Sequence, residues 1–397
     1  MNAVLNHVRH NTNRLPIEAD LDQPKPAFRK APAAPVAAAA PKATDKNVLY
    51  LGFDWGTNKS CLKASYAGSN DLLLEEIIPT VVGYAKEGII EGLLPDDATT
   101  LFGKEALQHR LHLNLVQPMI DGVVEDLSAA RDFAQHLRSR IDVPEGTEIR
   151  AVCGVPANAD SSARENLRKS VHGLFDRVIL IPEPFLAALG FRDESRLNDD
   201  TYVDPVRNSL FVDIGGGTTD VCLVQGYYPT AADQVSIPFA GDKVDAIFRD
   251  EILKTYPDCE LSAITLRGLK EQHSFVGEGN NPVIVNVMVG GKARKLDVTA
   301  QINTACNELL NRILDTVKTL IVRASGDSVT ELLQNIILTG GGSRIKGLDV
   351  ELQRRLAEEG FEPQVRVVGE RYKEFVAKGA LKAAKQAREN QWQQVIK

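Results

Sequence analysis

The sequence predicts an α/β fold built from two related lobes, and three observations carry that prediction. A motif of strand, Asp, apolar residue and Gly/Thr turn occurs twice, as Phe53 to Leu62 (FDWGTNKSCL) and Val212 to Leu223 (VDIGGGTTDVCL). Two further apolar strands, Ile149 to Pro156 (IRAVCGVP) and Asn335 to Gly342 (NIILTGGG), each run into a turn and then into a helical pattern. Strands alternating with helices around Gly-bearing turns indicate α/β layers. The 397 residues also exceed one core, since compact domains hold roughly 100–200 residues each.

In chain order, residues 1–46 come first, including the run Ala31 to Lys42 (APAAPVAAAAPK). Ala and Pro bury little surface and Pro breaks helices, so this stretch is expected to be a disordered tail. At Asn47 the texture changes to Val-Leu-Tyr-Leu-Gly-Phe-Asp, an apolar strand that opens the folded body. Asp54 and Asp213 stand 159 residues apart and Cys61 and Cys222 161 apart, so the second copy is expected to carry two extra turn residues. After IRAVCGVP, Ser162 and Glu165 form a capping-box pattern that starts a helix. After the glycine triplet, Leu348, Leu352 and Leu356 mark one helical face and Gly360 its stop.

Composition excludes several classes. Hydrophobic residues at 43% and charged residues at 25% are those of a soluble globular chain. The net charge of −7 divides unevenly: the first 47 residues carry seven Lys/Arg against four Asp/Glu, which leaves −10 on the body and argues against nucleic acid. Cys61, Cys153, Cys222, Cys259 and Cys306 are odd in number and lack C-x-x-C spacing, as expected of reduced core residues in a cytoplasmic protein. No run approaches the ~20 apolar residues of a membrane span, and no signal peptide is visible. Val4, Leu5 and Val8 near one end, and Trp392, Val395 and Ile396 near the other, form apolar faces too small to anchor a single subunit to lipid.

The two hairpins suit phosphate chemistry. A triphosphate with its metal needs backbone N–H donors at close range, and a Gly-rich turn permits that approach. Hairpins of this kind also serve as plain tight turns, so the pairing carries the reading. Facing each other, the turns after Asp54 and Asp213 would clamp phosphates from both sides, with the two aspartates holding Mg²⁺. Gly340, Gly341 and Gly342 would admit a ribose or adenine against the backbone. The chain lacks the Lys-Ser/Thr ending of a P-loop and the complete G-x-G-x-x-G fingerprint.

In order, DWGTN, AVCGVPANA with EPFLAALG, VDIGGGTTDVCLV, LTGGGSRIKGL and FVAKGALKAA resemble the five nucleotide-site segments of the actin, Hsp70 and sugar-kinase superfamily. The resemblance spans about residues 47–385, and within the superfamily it is greatest to the bacterial actins of the MreB and MamK kind. It implies an actin-like two-lobed fold, duplicated ribonuclease-H-like domains around a nucleotide cleft. Lobe I is expected over 47–200 with 372–397 returning to it, and lobe II over 201–371.

Carried across residue by residue, the resemblance implies that Asp54 and Asp213 hold Mg²⁺ through water. Gly56, Thr57 and Asn58 contact the β-phosphate side, and Gly215, Gly216, Gly217 and Thr218 the γ-phosphate. Glu183 stands beside the attacking water. Gly241, Asp242, Lys270 and Glu271 contact ribose and adenine, and Gly340 to Gly342 with Ile345 wall the base. Read without the resemblance, Glu183 is also a plausible solvated turn residue between two prolines, and Lys270 and Glu271 a solvated helix face. Lys59 departs from the usual uncharged residue and either reaches a phosphate or faces solvent.

The expected function is a cytoplasmic, filament-forming ATPase that binds Mg-ATP and polymerises with itself. An organelle or membrane adaptor is a further partner, and organelle positioning one of the uses the resemblance allows. Few residues follow the FVAKGALKAA segment, so a chaperone's substrate domain is not expected. A small-molecule kinase of the same superfamily and an FtsA-like ATP-binding adaptor are the alternatives.

Overall fold

A computed structural model describes residues 48–278 and 281–394. The expectations for residues 1–46, and for Val395 and Ile396, lie outside the described residues.

Two sheets share one plan. The first contains β1 (Val48–Trp55), β2 (Lys59–Tyr66), β3 (Leu74–Pro79), β4 (Glu148–Val155) and β5 (Arg177–Pro182) in the order β5-β4-β1-β2-β3, with the short strand Gln393–Gln394 added beside β5. The second contains β6 (Ser209–Ile214), β7 (Thr219–Val224), β8 (Gln234–Ile237), β9 (Ile336–Thr339) and β10 (Val365–Val367) in the order β8-β7-β6-β9-β10. In each sheet an antiparallel hairpin, β1/β2 or β6/β7, is continued by a third antiparallel strand on one side and by parallel strands on the other. The short motifs read as a repeat thus mark a repeat of the whole sheet.

The register corrects one expectation. Asp54 pairs with Cys61 and Asp213 with Asp220, and the last pairs are Trp55 with Ser60 and Ile214 with Thr219. The two hairpins therefore have turns of equal length, and Asp220, not Cys222, occupies the place of Cys61. Two apolar strands tolerate a cysteine at either inward position, so the cysteine spacing misled.

Among the described residues the helices of nine or more residues are α1 (Leu127–Ser139), α2 (Ser161–Ser170), α3 (Glu183–Phe191), α4 (Gly241–Thr255), α5 (Ala263–His273), α6 (Thr299–Arg323), α7 (Leu348–Glu358) and α8 (Tyr372–Gln386). In α2 the cap is Asp160, whose carboxylate accepts the Ala163 N–H at 2.7 Å, and not Ser162. An aspartate caps as well as a serine and brings negative charge to the positive helix end. Helix α7 buries Leu348, Leu352 and Leu356 as its i, i+4 spacing predicts, and Gly360 follows its end at φ +88°.

Each sheet packs one face into its own core. In β1 the alternating Leu49, Leu51, Phe53 and Trp55 meet Phe133 and Leu137 of α1. In the second sheet Leu210, Val212 and Ile214 meet Phe248 of α4, Leu309 of α6 and Leu352 of α7. Each such side chain contributes roughly 1.5–3 kcal/mol on burial. The opposite faces share a third core, in which α3 (Leu186, Ala187) and α8 (Phe375, Val376, Ala380) pack with Val152 and Ile181 of the first sheet and Phe211 and Ile337 of the second. The two helices cross through glycines: a β-carbon at Gly379 would sit 1.8 Å from the Leu186 carbonyl oxygen, and one at Gly190 would sit 1.9 Å from that of Phe375. This close crossing sets how α3 and α8 lie between the sheets.

Candidate functional site

The hairpin turns open toward each other. Gly56, Thr57 and Asn58 join β1 to β2, Gly215 to Thr218 join β6 to β7, and both turns line one cleft of about 390 Å³. Asp54 and Asp213 enter it from the ends of β1 and β6, and Glu183 from the β5–α3 junction. Gly241 at the start of α4, Lys270 and Glu271 on α5, and Gly340, Gly341, Gly342 and Ile345 after β9 complete the lining named from the sequence.

Asp242 takes a different place. Its carboxylate accepts hydrogen bonds from Asn58 Nδ2 at 3.1 Å and from Arg267 at 3.2 Å, so it ties the first hairpin to α4 and α5. Lys270 donates to the Gly241 carbonyl at 2.7 Å and lies 3.0 Å from Asp245, which fixes it to the start of α4. Lys59 lines the cleft 4.0 Å from Glu271. That pair is largely exposed and contributes little stability, roughly 0–1 kcal/mol.

Several glycines are required by close approach. A β-carbon at Gly217 would lie 2.5 Å from Asp121 Cα, and one at Gly342 would lie 2.1 Å from Ile214 Cγ2. Gly340, at φ +76°, brings the chain against the Asp213 carboxylate. The result is a cradle of bare backbone around the cleft, the surface that phosphate and sugar oxygens need.

Negative charge is concentrated at its floor. Burial pushes the Asp54 carboxyl up to about 7. Burial, then Asp54 and Asp220, hold Asp213 well above the usual carboxylate range. Glu183 is raised in the same way by burial and by the charges of Asp54, Asp220 and Asp213. Burial raises Asp220 too, against hydrogen bonds from Thr218, the Ala157 N–H and Ser236. Four carboxyl groups held this closely cannot all ionise cheaply without a cation. Among the described residues no three acidic, histidine or cysteine side chains enclose a metal by themselves. Asp54 and Asp213, one at the end of a strand in each sheet, are carboxylates of the kind that hold Mg²⁺ together with waters and phosphate oxygens.

The cleft also contains residues that sequence reasoning did not assign: Arg267, Ser274, Arg344, Tyr372 and Lys373. Arg267 lies one helical turn before Lys270, so the i, i+3 spacing was an available signal. Tyr372 and Lys373 begin α8, just ahead of the FVAKGALKAA segment, and had no such signal.

All five cysteines are free and buried. Among the described residues no helix is long and apolar enough to cross a membrane.

Comparison with known proteins matches residues 49–392 to the family model described as MreB/Mbl protein. The actin-like protein MamK of Paramagnetospirillum magneticum is 32% identical over 316 residues, covering 78% of this chain and 85% of the relative. The solved MamK double helical filament superposes with a TM-score of 0.77 at 30% identity, over 86% of this chain and 100% of that one. A non-polymerising MamK mutant bound to AMPPNP gives 0.62, also at 30% identity, over 86% and 99%.

Proposed function

This chain belongs to the MreB/Mbl family of actin-like cytoskeletal proteins and has their α/β two-lobed fold, and from that premise we propose that it binds Mg-ATP in the cleft, polymerises, and hydrolyses ATP to control its filaments. The observation that carries the reading is the pair of glycine hairpins facing each other across the raised carboxyl groups of Asp54, Asp213 and Glu183, with the raised Asp220 buried in the second hairpin. Among the described residues no cationic side chain acts on Asp54, Asp213 or Glu183, and a metal–nucleotide would bring that positive charge. Self-assembly is supported by the similarity to a protein solved as a double helical filament, and nucleotide binding by the similarity to one solved with AMPPNP. We take residues 47–200 with 372–397 as lobe I and 201–371 as lobe II.

Each residue has a role in this proposal. Gly56 to Asn58 and Gly215 to Thr218 face the phosphates with the backbone N–H groups of the two turns, apart from that of Gly215, which bonds the Thr218 carbonyl, and with the Thr57 hydroxyl. Asp54 and Asp213 hold the metal's water shell from opposite sheets. Glu183 orients the attacking water and takes its proton on the side-chain carboxylate, a role suited to a carboxyl whose surroundings make it a stronger base. Gly241, Lys270 and Glu271 face the ribose and base, and Gly340 to Gly342 with Ile345 close the base side. Mg-ATP supplies the transferable phosphoryl group and the cation that spreads its charge.

The direct test is titration of the purified full chain with a fluorescent ATP analogue, with Mg²⁺ and with EDTA, followed by phosphate release. Micromolar Mg-dependent binding and slow hydrolysis are expected. Absence of binding would remove the reading.

A further inference from the structure

We propose that Tyr228 is a positioning residue for Glu183, so that a contact on the outer surface sets the rate of hydrolysis inside the cleft. The inference rests on the role proposed above for Glu183 and adds what holds that residue in place.

Glu183 is the first residue of α3, directly after Pro182, the last of β5. No hydrogen bond holds its carboxylate among the described residues, and burial with like charges only pushes on it. Its stem lies against bare backbone, since a β-carbon at Gly154 would meet Glu183 Cγ at 2.9 Å. Its position is therefore inherited from the β5–α3 junction.

Tyr228 grips that junction on both sides. It lies in the loop after β7, on the second sheet, and reaches across to the first. Its hydroxyl donates to the Leu180 carbonyl, three residues before Glu183, at 3.4 Å. Its ring meets that of Phe185, two residues after Glu183, with centroids 5.8 Å apart and planes at 59°. Tyr228 is 52% exposed, so it is not a core residue whose loss empties a cavity. At the cleft end of β7, Asp220 accepts the Ala157 N–H at 2.7 Å. Strand β7, half of the second hairpin, is thus tied to the first sheet near both its ends, with Glu183 between the ties. Two such ties fix the distance between Glu183 and the hairpin that faces the γ-phosphate, and reaction rate depends steeply on that distance.

The test uses the full chain and compares wild type, Tyr228→Ala, Tyr228→Phe and Phe185→Leu. Phosphate release is measured at saturating Mg-ATP and normalised to pelleted protein, with the Kd for a fluorescent ATP analogue and the melting temperature measured alongside. Tyr228→Ala and Phe185→Leu should each lower kcat by about tenfold, with Kd and melting temperature close to wild type. Tyr228→Phe removes the hydroxyl bond to Leu180 and keeps the ring against Phe185, so its kcat should fall between those of wild type and Tyr228→Ala. Wild-type kcat in Tyr228→Ala, an equal loss in Kd and kcat, or a kcat in Tyr228→Phe below that of Tyr228→Ala would each overturn the proposal. A wild-type chain that binds no ATP would overturn the nucleotide reading and this inference with it.

Discussion

Replacing Asp54 by Asn should stabilise the nucleotide-free protein while weakening its response to Mg-ATP. In the folded chain the Asp54 carboxyl is raised from 3.8 to about 7 by burial. A raised carboxyl makes ionisation costly in the folded state. That cost is absent below pH 3.8, grows through the window from 3.8 to about 7, and is constant above it. At 1.36 kcal/mol per pH unit it reaches at most about 4 kcal/mol at pH 8 and under about 2 kcal/mol at pH 5. Asn has no charge to desolvate and removes the cost, along with one repulsive neighbour of Glu183 and Asp213. With roughly 2 °C per kcal/mol for a chain of this size, the variant should melt several degrees above wild type at pH 8 and only slightly above it at pH 5. Saturating Mg-ATP should reverse the order at pH 8, because wild type gains the cation that Asp54 helps to hold. The assay is differential scanning fluorimetry at the two pH values, with and without Mg-ATP. An Asn variant melting at or below wild type at pH 8 without nucleotide would refute the charge-strained cleft.

Three further outcomes follow from named contacts. Glu183→Ala should bind the ATP analogue as wild type does yet release phosphate at least 100-fold more slowly, leaving filaments that persist in a light-scattering trace; wild-type turnover would remove Glu183 from its assigned role. Gly217→Ala would place a β-carbon 2.5 Å from Asp121 Cα and should cost about 1–3 kcal/mol of stability in a urea titration, together with ATP affinity; an unaltered midpoint would show that the turn is looser than described. Lys63, buried between Glu75 and Glu374 (3.2 Å to the latter), should cost about 3 kcal/mol when changed to Met, since Glu75 loses its cation and Glu374 keeps only Arg371; an unaltered urea midpoint would show that the buried ammonium is not needed to hold the two carboxylates.

Much of the site was legible because it is built from local signals. An Asp at a strand end followed by glycines needs no distant partner to be recognised, and both hairpins, the glycine triplet and Glu183 line one cleft. The readings that failed concern spacing and capping. The spacing of Cys61 and Cys222 suggests unequal turns although the pairing makes them equal, and the Ser162–Glu165 pattern suggests a cap that Asp160 supplies. Asp242 fits the motif yet spends its carboxylate on Asn58 and Arg267. Lys59, for which the sequence allows either phosphate or solvent, lies 4.0 Å from Glu271 at the cleft. Tyr372, Lys373 and Arg344 reach the cleft only through the return of α8 and the turn after β9. Nothing local marks Tyr228, whose contacts with Leu180 and Phe185 exist only once the two sheets are packed.

The central claim is that nucleotide occupancy drives assembly of this chain. The measurement is sedimentation with negative-stain microscopy of the purified full chain over a concentration series at physiological salt, with Mg-ATP, Mg-ADP or no nucleotide. With Mg-ATP, a pellet of filaments should appear above a critical concentration and phosphate release should rise at the same point. A chain that stays monomeric with Mg-ATP throughout the series, or that pellets equally without nucleotide, would contradict the claim.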